Sequence, residues 1–386
     1  MTRVNDLSRS FTVLDQDSTL IAVIEMSLKS WLVGGIVPGL AREPLKKLEA
    51  DPEALLEVLY RWRAEAVKAG KTIGRIAVAY EAGRDGFWLA RWLQARGIEA
   101  YVMHAASIAV SREHRRAKTD RLDVALLKRS FLGWLRGEAK HCQMVAVPSV
   151  EQEDGRRPGR ERDGLMRERT RIVNRLKSTL ARCGIRGFNP KLRRAGQKLA
   201  ELRTPEGVGL APHTLAEVRR DLQRLALVRE QLKEIERERE QQLKVAPSTP
   251  AASMVAALAQ VIGIGPQTAD LLVQEIFCRN LRDRRALARY AGLTGSPDES
   301  GSRRREKGLA RAGNARVRTA MIQLAWRFTS FQKNSALVQW YEARTADSAG
   351  RRKPMIVALA RKLLIELWRY ATLGLVPQGV ALRPAA

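Results

Sequence analysis

Residues 20–39, LIAVIEMSLKSWLVGGIVPG, decide the reading of the fold. β-Branched residues cluster around Glu25, and Gly34, Gly35 and Gly39 act as punctuation, a pattern that predicts two strands turned back on each other. Downstream, Asp51-Pro52 supplies the N-cap and first-turn signal of a helix running to about Gly70. IGRIAVAYEA (73–82) predicts another strand with Glu81 at its C-terminal end. An amphipathic helix then passes through Trp88, Leu89 and Trp92 to a stop at Gly97, and IEAYVMHAAS (98–107) is again a strand. Beyond the basic loop SREHRRAK (111–118), Thr119 is the expected N-cap of a helix with Leu122, Leu126, Leu127 and Phe131 at helical spacing. Strand and helix alternate, so residues 1–150 are expected to form an α/β domain.

The composition shifts at Glu151. EQEDGRRPGRERDG (151–164) is charged and holds Pro and Gly, which predicts a linker. Two near-heptad stripes follow: Leu165, Ile172, Leu176 and Leu180, then Leu215, Val218, Leu222, Leu225, Leu232 and Ile235. They predict, within 151–250, either an antiparallel helical hairpin or an intermolecular coiled coil, and a homo-oligomer (dimer or tetramer) is expected through this segment. VAPSTPAAS, from Val245, reads as a second linker, and 251–386 as a mainly α C-terminal domain.

A chain of 386 residues favours two or three domains. Lys and Arg number 69 against 41 Asp and Glu, a net charge of +28, while 45% hydrophobic residues are enough for ordinary folded cores. The excess charge therefore lies on folded surfaces and calls for a polyanion. Nucleic acid fits better than a membrane surface, because Arg is scattered along the chain rather than gathered on one amphipathic helix. The most apolar late stretch, 355–376, is interrupted by Arg361, Lys362, Glu366 and Arg369, so no membrane span is expected. Cys142, Cys183 and Cys278 are far apart and form no CxxC pair, which argues against a disulfide framework or a zinc site and points to the cytoplasm.

Four carboxylates stand out in the α/β domain: Glu25 within a strand, Glu81 at a strand end, and Asp120 and Asp123 at the start of a helix. Residues three apart share a helical face. Acids near a core are costly unless partnered, and a divalent cation partners several at once. Helix N-termini favour acids for the macrodipole alone, so it is the joint pattern that matters. It resembles a ribonuclease-H-like fold, in which strand and helix carboxylates hold two Mg²⁺ ions at a phosphodiester.

In LAQVIGIGPQTADLLVQEI (258–276), two apolar helices flank a turn at Gly263-Ile264-Gly265-Pro266. A helix-hairpin-helix of this kind offers backbone N–H groups to a phosphate without reading sequence. YAGLTGSPDESGSRRREKGLARAGNARVR (290–318) follows, with Ser296, Ser300 and Ser302 in a Gly-rich loop. The run Arg303, Arg304, Arg305, Lys307, Arg311, Arg316 and Arg318 is expected to be a phosphate-binding surface, as are Arg115, Arg116 and Lys118 in the N-terminal basic loop.

Together VIEMSLKSW, AVAYEAGRDG, SREHRRAKTDRLD, RYAGLTGSPDESG and GLARAGNARVR, in this order over residues 20–330, resemble the transposases of the insertion-sequence one-hundred-ten family. That resemblance implies a DEDD-type resolvase-like N-terminal domain, with Glu25, Glu81, Asp120 and Asp123 at its four acidic positions, and a C-terminal serine domain with Ser300 as nucleophile. It also implies Mg²⁺-dependent DNA strand exchange for transposition, directed by a non-coding bridge RNA, in a bacterial, nucleoid-associated protein. The first acid of the family is usually Asp, where this chain has Glu25, a longer arm by about 1.5 Å against metal–oxygen distances near 2.0–2.1 Å. The alternatives are a resolvase-like metal-dependent nuclease with water as nucleophile, and a catalytically inactive nucleic-acid-binding protein.

Overall fold

The computed structural model describes residues 7–83, 86–108, 119–138, 141–192, 194–300, 303–310, 312–346 and 352–384, except the side chains of 297–299 and 303–307. The chain forms two compact units that divide between Ser149 and Val150.

The first unit is a six-stranded sheet with helices on both faces. In chain order it holds β1 (Thr19–Met26), β2 (Ser30–Ile36), β3 (Leu45–Glu49), α1 (Pro52–Lys68), β4 (Arg75–Glu81), α2 (Trp88–Gln94), β5 (Glu99–Met103), α3 (Asp120–Leu135) and β6 (Met144–Val145). The strand order is β3-β2-β1-β4-β5-β6. β1 pairs antiparallel with β2 and parallel with β4, β4 is parallel to β5, and the outer pairs β2/β3 and β5/β6 are antiparallel.

Strand alternation splits the core in two. Leu20, Ala22, Ile24, Val78 and Tyr80 pack against Leu55, Leu59 and Trp62 of α1 and Leu89 and Leu93 of α2. Ile21, Val23, Ala77 and Ala79 pack on the other face against Val124, Leu127 and Phe131 of α3. The helix starts are locally specified. The Asp51 carboxylate accepts from the backbone N–H groups of Glu53 and Ala54, and the Thr119 hydroxyl accepts from that of Leu122 at 3.3 Å.

Gly34 and Gly35 depart from the expectation that they punctuate the chain, because both lie inside β2. A Cβ on Gly34 would stand 2.5 Å from Val124 of α3, and one on Gly35 would stand 2.7 Å from the Trp62 ring of α1. The pair lets one helix approach each face of the sheet.

The second unit holds α4 (Val150–Asp154), α5 (Arg157–Arg182), α6 (Ala195–Glu201), α7 (Pro212–Lys244), α8 (Pro250–Gln260), α9 (Pro266–Leu272), a π-helical turn (Val273–Phe277), α10 (Arg284–Tyr290), β7 (Gly295–Ser300), β8 (Arg303–Leu309), α11 (Ala315–Phe331), α12 (Ala336–Thr345) and α13 (Arg352–Leu373). α5 and α7 pair within the chain through Ile172, Leu176, Leu180, Val218, Leu225 and Leu232. Ion pairs Arg162–Glu236 and Arg175–Asp221 show that the two helices run antiparallel. The remaining helices enclose a core that includes Leu258, Leu272, Leu324, Phe328 and Leu363.

Two expectations are corrected. Residues 151–164 are not a flexible linker but span α4 and the start of α5, where the half-turn at Gly155 and Pro158 in the first turn of α5 account for the breaker signals. They are held by partners far along the chain: the Arg156 guanidinium donates to the Gln274 carbonyl at 3.0 Å, and Arg160 to Glu275 at 3.2 Å. Ser296 and Ser300 lie in a strand rather than a loop, because GSPDES pairs antiparallel with RRREKGL. Ser302 lies outside the described residues. Among the described residues no helix is long and apolar enough to cross a membrane; α13 covers most of the apolar stretch 355–376 and is core, with Leu359, Leu363 and Leu367 fully buried.

Candidate functional site

Glu25 and Glu81 lie on the face of the sheet that α3 covers, and Asp120 and Asp123 open α3 itself. The parallel register pairs Val23 with Ala79 and Ile24 with Tyr80, so Glu25 and Glu81 are the next residues along two neighbouring strands. By alternation Glu25 follows Ile21 and Val23, and Glu81 follows Ala77 and Ala79, onto the face covered by α3. Val124 of α3 sits against Val23 and Gly34. Asp120 and Asp123 occupy the first turn just before it, where the helix dipole favours a carboxylate. Glu25 and Asp123 are half-buried, whereas Glu81 and Asp120 are exposed.

All four are hard oxygen donors of the kind Mg²⁺ takes. Their donor chemistry fits the ion. Among the described residues, however, no three His, Cys, Asp or Glu side chains stand close enough to hold a metal ion.

In the second unit, α8 and α9 flank the turn at residues 261–265. Gly263 adopts φ +94, a left-handed conformation that other residues enter only at a cost, and a Cβ there would stand 3.3 Å from Phe331. Gly265 caps α9 with an ordinary extended backbone, and Pro266 opens the helix. The carbonyl side of the turn is taken up by the C-terminal segment: Gln332 donates to the Ile262 carbonyl at 2.7 Å and accepts from the Ala381 N–H at 2.8 Å, and Arg383 donates to the Ile264 carbonyl at 3.1 Å.

β7 and β8 form a hairpin whose register pairs Ser300 with Arg303, Glu299 with Arg304 and Asp298 with Arg305. Ser300 is exposed and is the last residue of β7. Arg303, Arg304, Arg305 and Lys307 are strand residues of β8 whose side chains lie outside the described residues, and Arg115, Arg116, Lys118 and Arg311 lie outside them entirely.

The expected phosphate-binding run loses Arg316. Its Nη1 donates to the Glu275 carboxylate at 2.9 Å, and its Nε to Asp163 of α5 at 2.9 Å. Glu275, on the π-helical turn, is almost fully buried and also accepts from Arg160 and from the Asn314 side chain at 3.1 Å. Burial pushes its carboxyl up, but the hydrogen bond from Arg160 and the charges of Arg160 and Arg316 leave it below the ordinary range. Beside it Asp270 is raised, chiefly by burial, against the opposing charge of Arg239, which it meets at 2.9 Å. This network ties α5, α7, the π-helical turn and the start of α11 together. The sequence reading missed it, although Asn314 ahead of the helix was a visible N-cap signal.

The family described as Transposase IS116/IS110/IS902 matches residues 255–340, the segment from α8 into α12 that contains the serine hairpin. Over 398 aligned residues the chain is 40% identical to "Putative transposase y4rJ" of Sinorhizobium fredii (strain NBRC 101917 / NGR234), with 99% of this chain and all of that protein covered.

Proposed function

The chain belongs to the IS116/IS110/IS902 transposase family, and from that premise we propose that it exchanges DNA strands through a serine nucleophile with Mg²⁺ held by carboxylates. It is a transposase, and DNA is its substrate. The observation that carries the finer reading is Ser300 itself: an exposed hydroxyl at the last paired position of a hairpin, opposite Arg303.

In the proposed step the Ser300 Oγ forms a bond to phosphorus, the bond from phosphorus to a deoxyribose oxygen breaks, and the serine proton is balanced by protonation of that leaving oxygen. The product is still a phosphodiester, so the energy of the broken bond is retained for rejoining to a second strand. Arg303, Arg304, Arg305, Lys307 and Arg311 supply positive charge where negative charge develops on phosphorus oxygens. Glu25, Glu81, Asp120 and Asp123 are the groups that would hold one or two Mg²⁺ ions. A bound ion would stabilise charge on attacking and leaving oxygens. The sheet with Glu25 and Glu81 at adjacent strand ends, and Asp120 and Asp123 opening the helix that covers it, supports a ribonuclease-H-like, resolvase-like assignment, and the α8–α9 turn supports a helix-hairpin-helix that rests on a DNA backbone.

The broad positive charge further supports delegation of sequence reading to a bridge RNA, since binding through backbones needs wide basic surfaces and few base-edge contacts. We place the protein in the cytoplasm on the nucleoid and its oligomer, dimer or tetramer, on the helical segment. The test is a strand-transfer assay with the purified protein, its copurifying RNA, labelled DNA and Mg²⁺. Exchange that passes through a protease-sensitive protein–DNA species is expected. Cleavage without that species would favour the water-using nuclease, and neither activity would favour an inactive binding protein.

A further inference from the structure

The helical hairpin carries its charge unevenly. Near its base, five acids outnumber three bases between Glu230 and Glu240 of α7, and six bases outnumber three acids between Arg157 and Arg171 of α5, so the two helices nearly balance. There and along the stem several of the cations are paired: Arg162 with Glu236, Lys233 with Glu230, and both Arg175 and Arg224 with the buried carboxylate of Asp221. At the far end the charge is strongly basic. Between Lys177 and Arg203 there are eight Lys or Arg residues and one acid, Glu201. Lys177, Arg186, Lys191, Arg194 and Lys198 are exposed, and none of them forms an ion pair with a carboxylate among the described residues.

These cations surround a hollow of about 500 Å³ between the end of α5 and the loop after it. Leu180, Ile185 and Phe188 form its apolar lining, and Lys177, Arg186 and Lys191 stand at its rim. On the α7 side, Arg219 and Arg229 border a second hollow of about 370 Å³ beside α6, and Arg229 is fixed by donating to the Lys191 carbonyl at 3.1 Å. A hairpin serving only to pair subunits has no use for uncompensated charge at its tip, because like charges repel.

We infer that the tip of the α5–α7 hairpin is a docking surface for single-stranded RNA, with phosphates on Lys177, Arg186 and Lys191 and an unstacked base over the Leu180–Ile185 hollow. A basic rim above an apolar floor suits a strand whose bases are free to leave the stack, whereas a duplex hides them. RNA rather than a DNA strand is the occupant because of position. Twenty residues of α7, roughly 30 Å at 1.5 Å per residue, separate Arg219 from Arg239, where α7 meets α9. DNA undergoing cleavage has to reach Ser300, whereas the stretches of a guide RNA that pair with no DNA do not. The inference therefore rests on the RNA-directed reading above, while naming a surface that reading does not contain.

The test uses the full chain with Lys177→Glu, Arg186→Glu and Lys191→Glu combined, and the milder triple Ala variant beside it, each checked by thermal melting. Affinities for labelled oligouridylate, oligothymidylate and duplex DNA are measured across a salt series. Loss of three contacts should weaken oligouridylate about tenfold or more and flatten its log–log salt slope by about 2, at roughly 0.7 per contact, with duplex DNA little changed. Unchanged oligouridylate binding overturns the inference. So does an equal loss on duplex DNA, a loss confined to oligothymidylate, or a change in oligomeric state with RNA affinity intact. Formation of the Ser300–DNA adduct is followed separately. An adduct with unaltered RNA binding in the variants sinks this surface alone, and weakened RNA binding in a protein that never forms the adduct sinks the serine chemistry alone.

Discussion

Gly313 crosses Gly292 at the base of the β7–β8 hairpin, and a Cβ on Gly313 would stand 2.7 Å from the Gly292 nitrogen. Both residues are in the left-handed region, at φ +85 and +66. Around the crossing, the Ala310 N–H donates to the Thr294 carbonyl at 3.0 Å, and the Asn314 N–H to the Tyr290 carbonyl at 2.6 Å. The clamp holds the outer ends of the two strands whose inner ends carry Ser300 and Arg303.

Gly313→Ala is therefore expected to destabilise the second unit. The left-handed backbone alone costs about 1–2 kcal/mol for a residue with a Cβ, and the steric overlap with Arg289, Tyr290 and Gly292 backbone adds to that. Denaturant unfolding measures the loss, and DNA adduct formation should fall with it because the hairpin is no longer held in place. An unchanged unfolding midpoint would show that the crossing relaxes freely.

What could be read from the residues, and what could not, divides by distance along the chain. Asp51 and Thr119 were legible as helix caps because a cap acts on N–H groups two or three residues away. The strands holding Glu25 and Glu81 were legible as apolar runs. Their adjacency was not, since it depends on β4 returning beside β1 across a helix. Gly34 and Gly35 were misread because what demands glycine there is Val124 and Trp62, brought in by other elements. Residues 151–164 looked like a linker because Arg156 and Arg160 have their partners, Gln274 and Glu275, more than a hundred residues later. β7 contains Pro, Asp and Ser, which ordinarily signal a loop, and becomes a strand only through its pairing with β8.

For the acidic face, Asp120→Asn combined with Asp123→Asn should abolish Mg²⁺-dependent strand exchange while leaving nucleic-acid affinity within about twofold, since it removes ligand charge without touching the basic surfaces. Glu25→Asp should retain more activity than Glu25→Gln, because it keeps the carboxylate and shortens the arm to that of the commoner family residue. Full exchange by the double Asn variant would remove these residues from the chemistry, and equal activity of the two Glu25 variants would remove Glu25.

The hairpin should show an acid-sensitive element at Asp221. Its carboxyl is held below its ordinary value near 3.8, first by the hydrogen bond from Arg175 and against the effect of burial. A depressed folded-state pKa gives stabilisation that is complete above the ordinary value and is lost as pH falls through the lowered one. Asp221→Asn should cost about 2 kcal/mol at neutral pH, since hydrogen bonds to Arg175 and Arg224 lose their charged acceptor. It should also flatten the acid limb of a stability-against-pH curve followed by urea unfolding. An acid limb identical in the two proteins would place the sensitivity at other carboxylates.

The nucleophile admits the sharpest test. Ser300→Ala should eliminate both strand exchange and any covalent protein–DNA species, because Ala has no hydroxyl to attack phosphorus. The residue is exposed at a strand end, so the variant is expected to melt within about 0.5 kcal/mol of the parent, the usual range for surface substitutions away from structural features. Ser296→Ala, four positions earlier on β7, is the control that alters the same strand at a distance from the tip and should keep the adduct. Ser300→Cys should leave at most a trace, since sulfur is nucleophilic but larger and sits at a different distance from phosphorus. The measurement is a denaturing gel of end-labelled DNA incubated with protein, copurified RNA and Mg²⁺, where a slow band abolished by protease marks the covalent species. An undiminished band with Ser300→Ala transfers the role to another residue. A band lost in Ser296→Ala as well as in Ser300→Ala would mean that the hairpin's shape, rather than the one hydroxyl, governs the reaction.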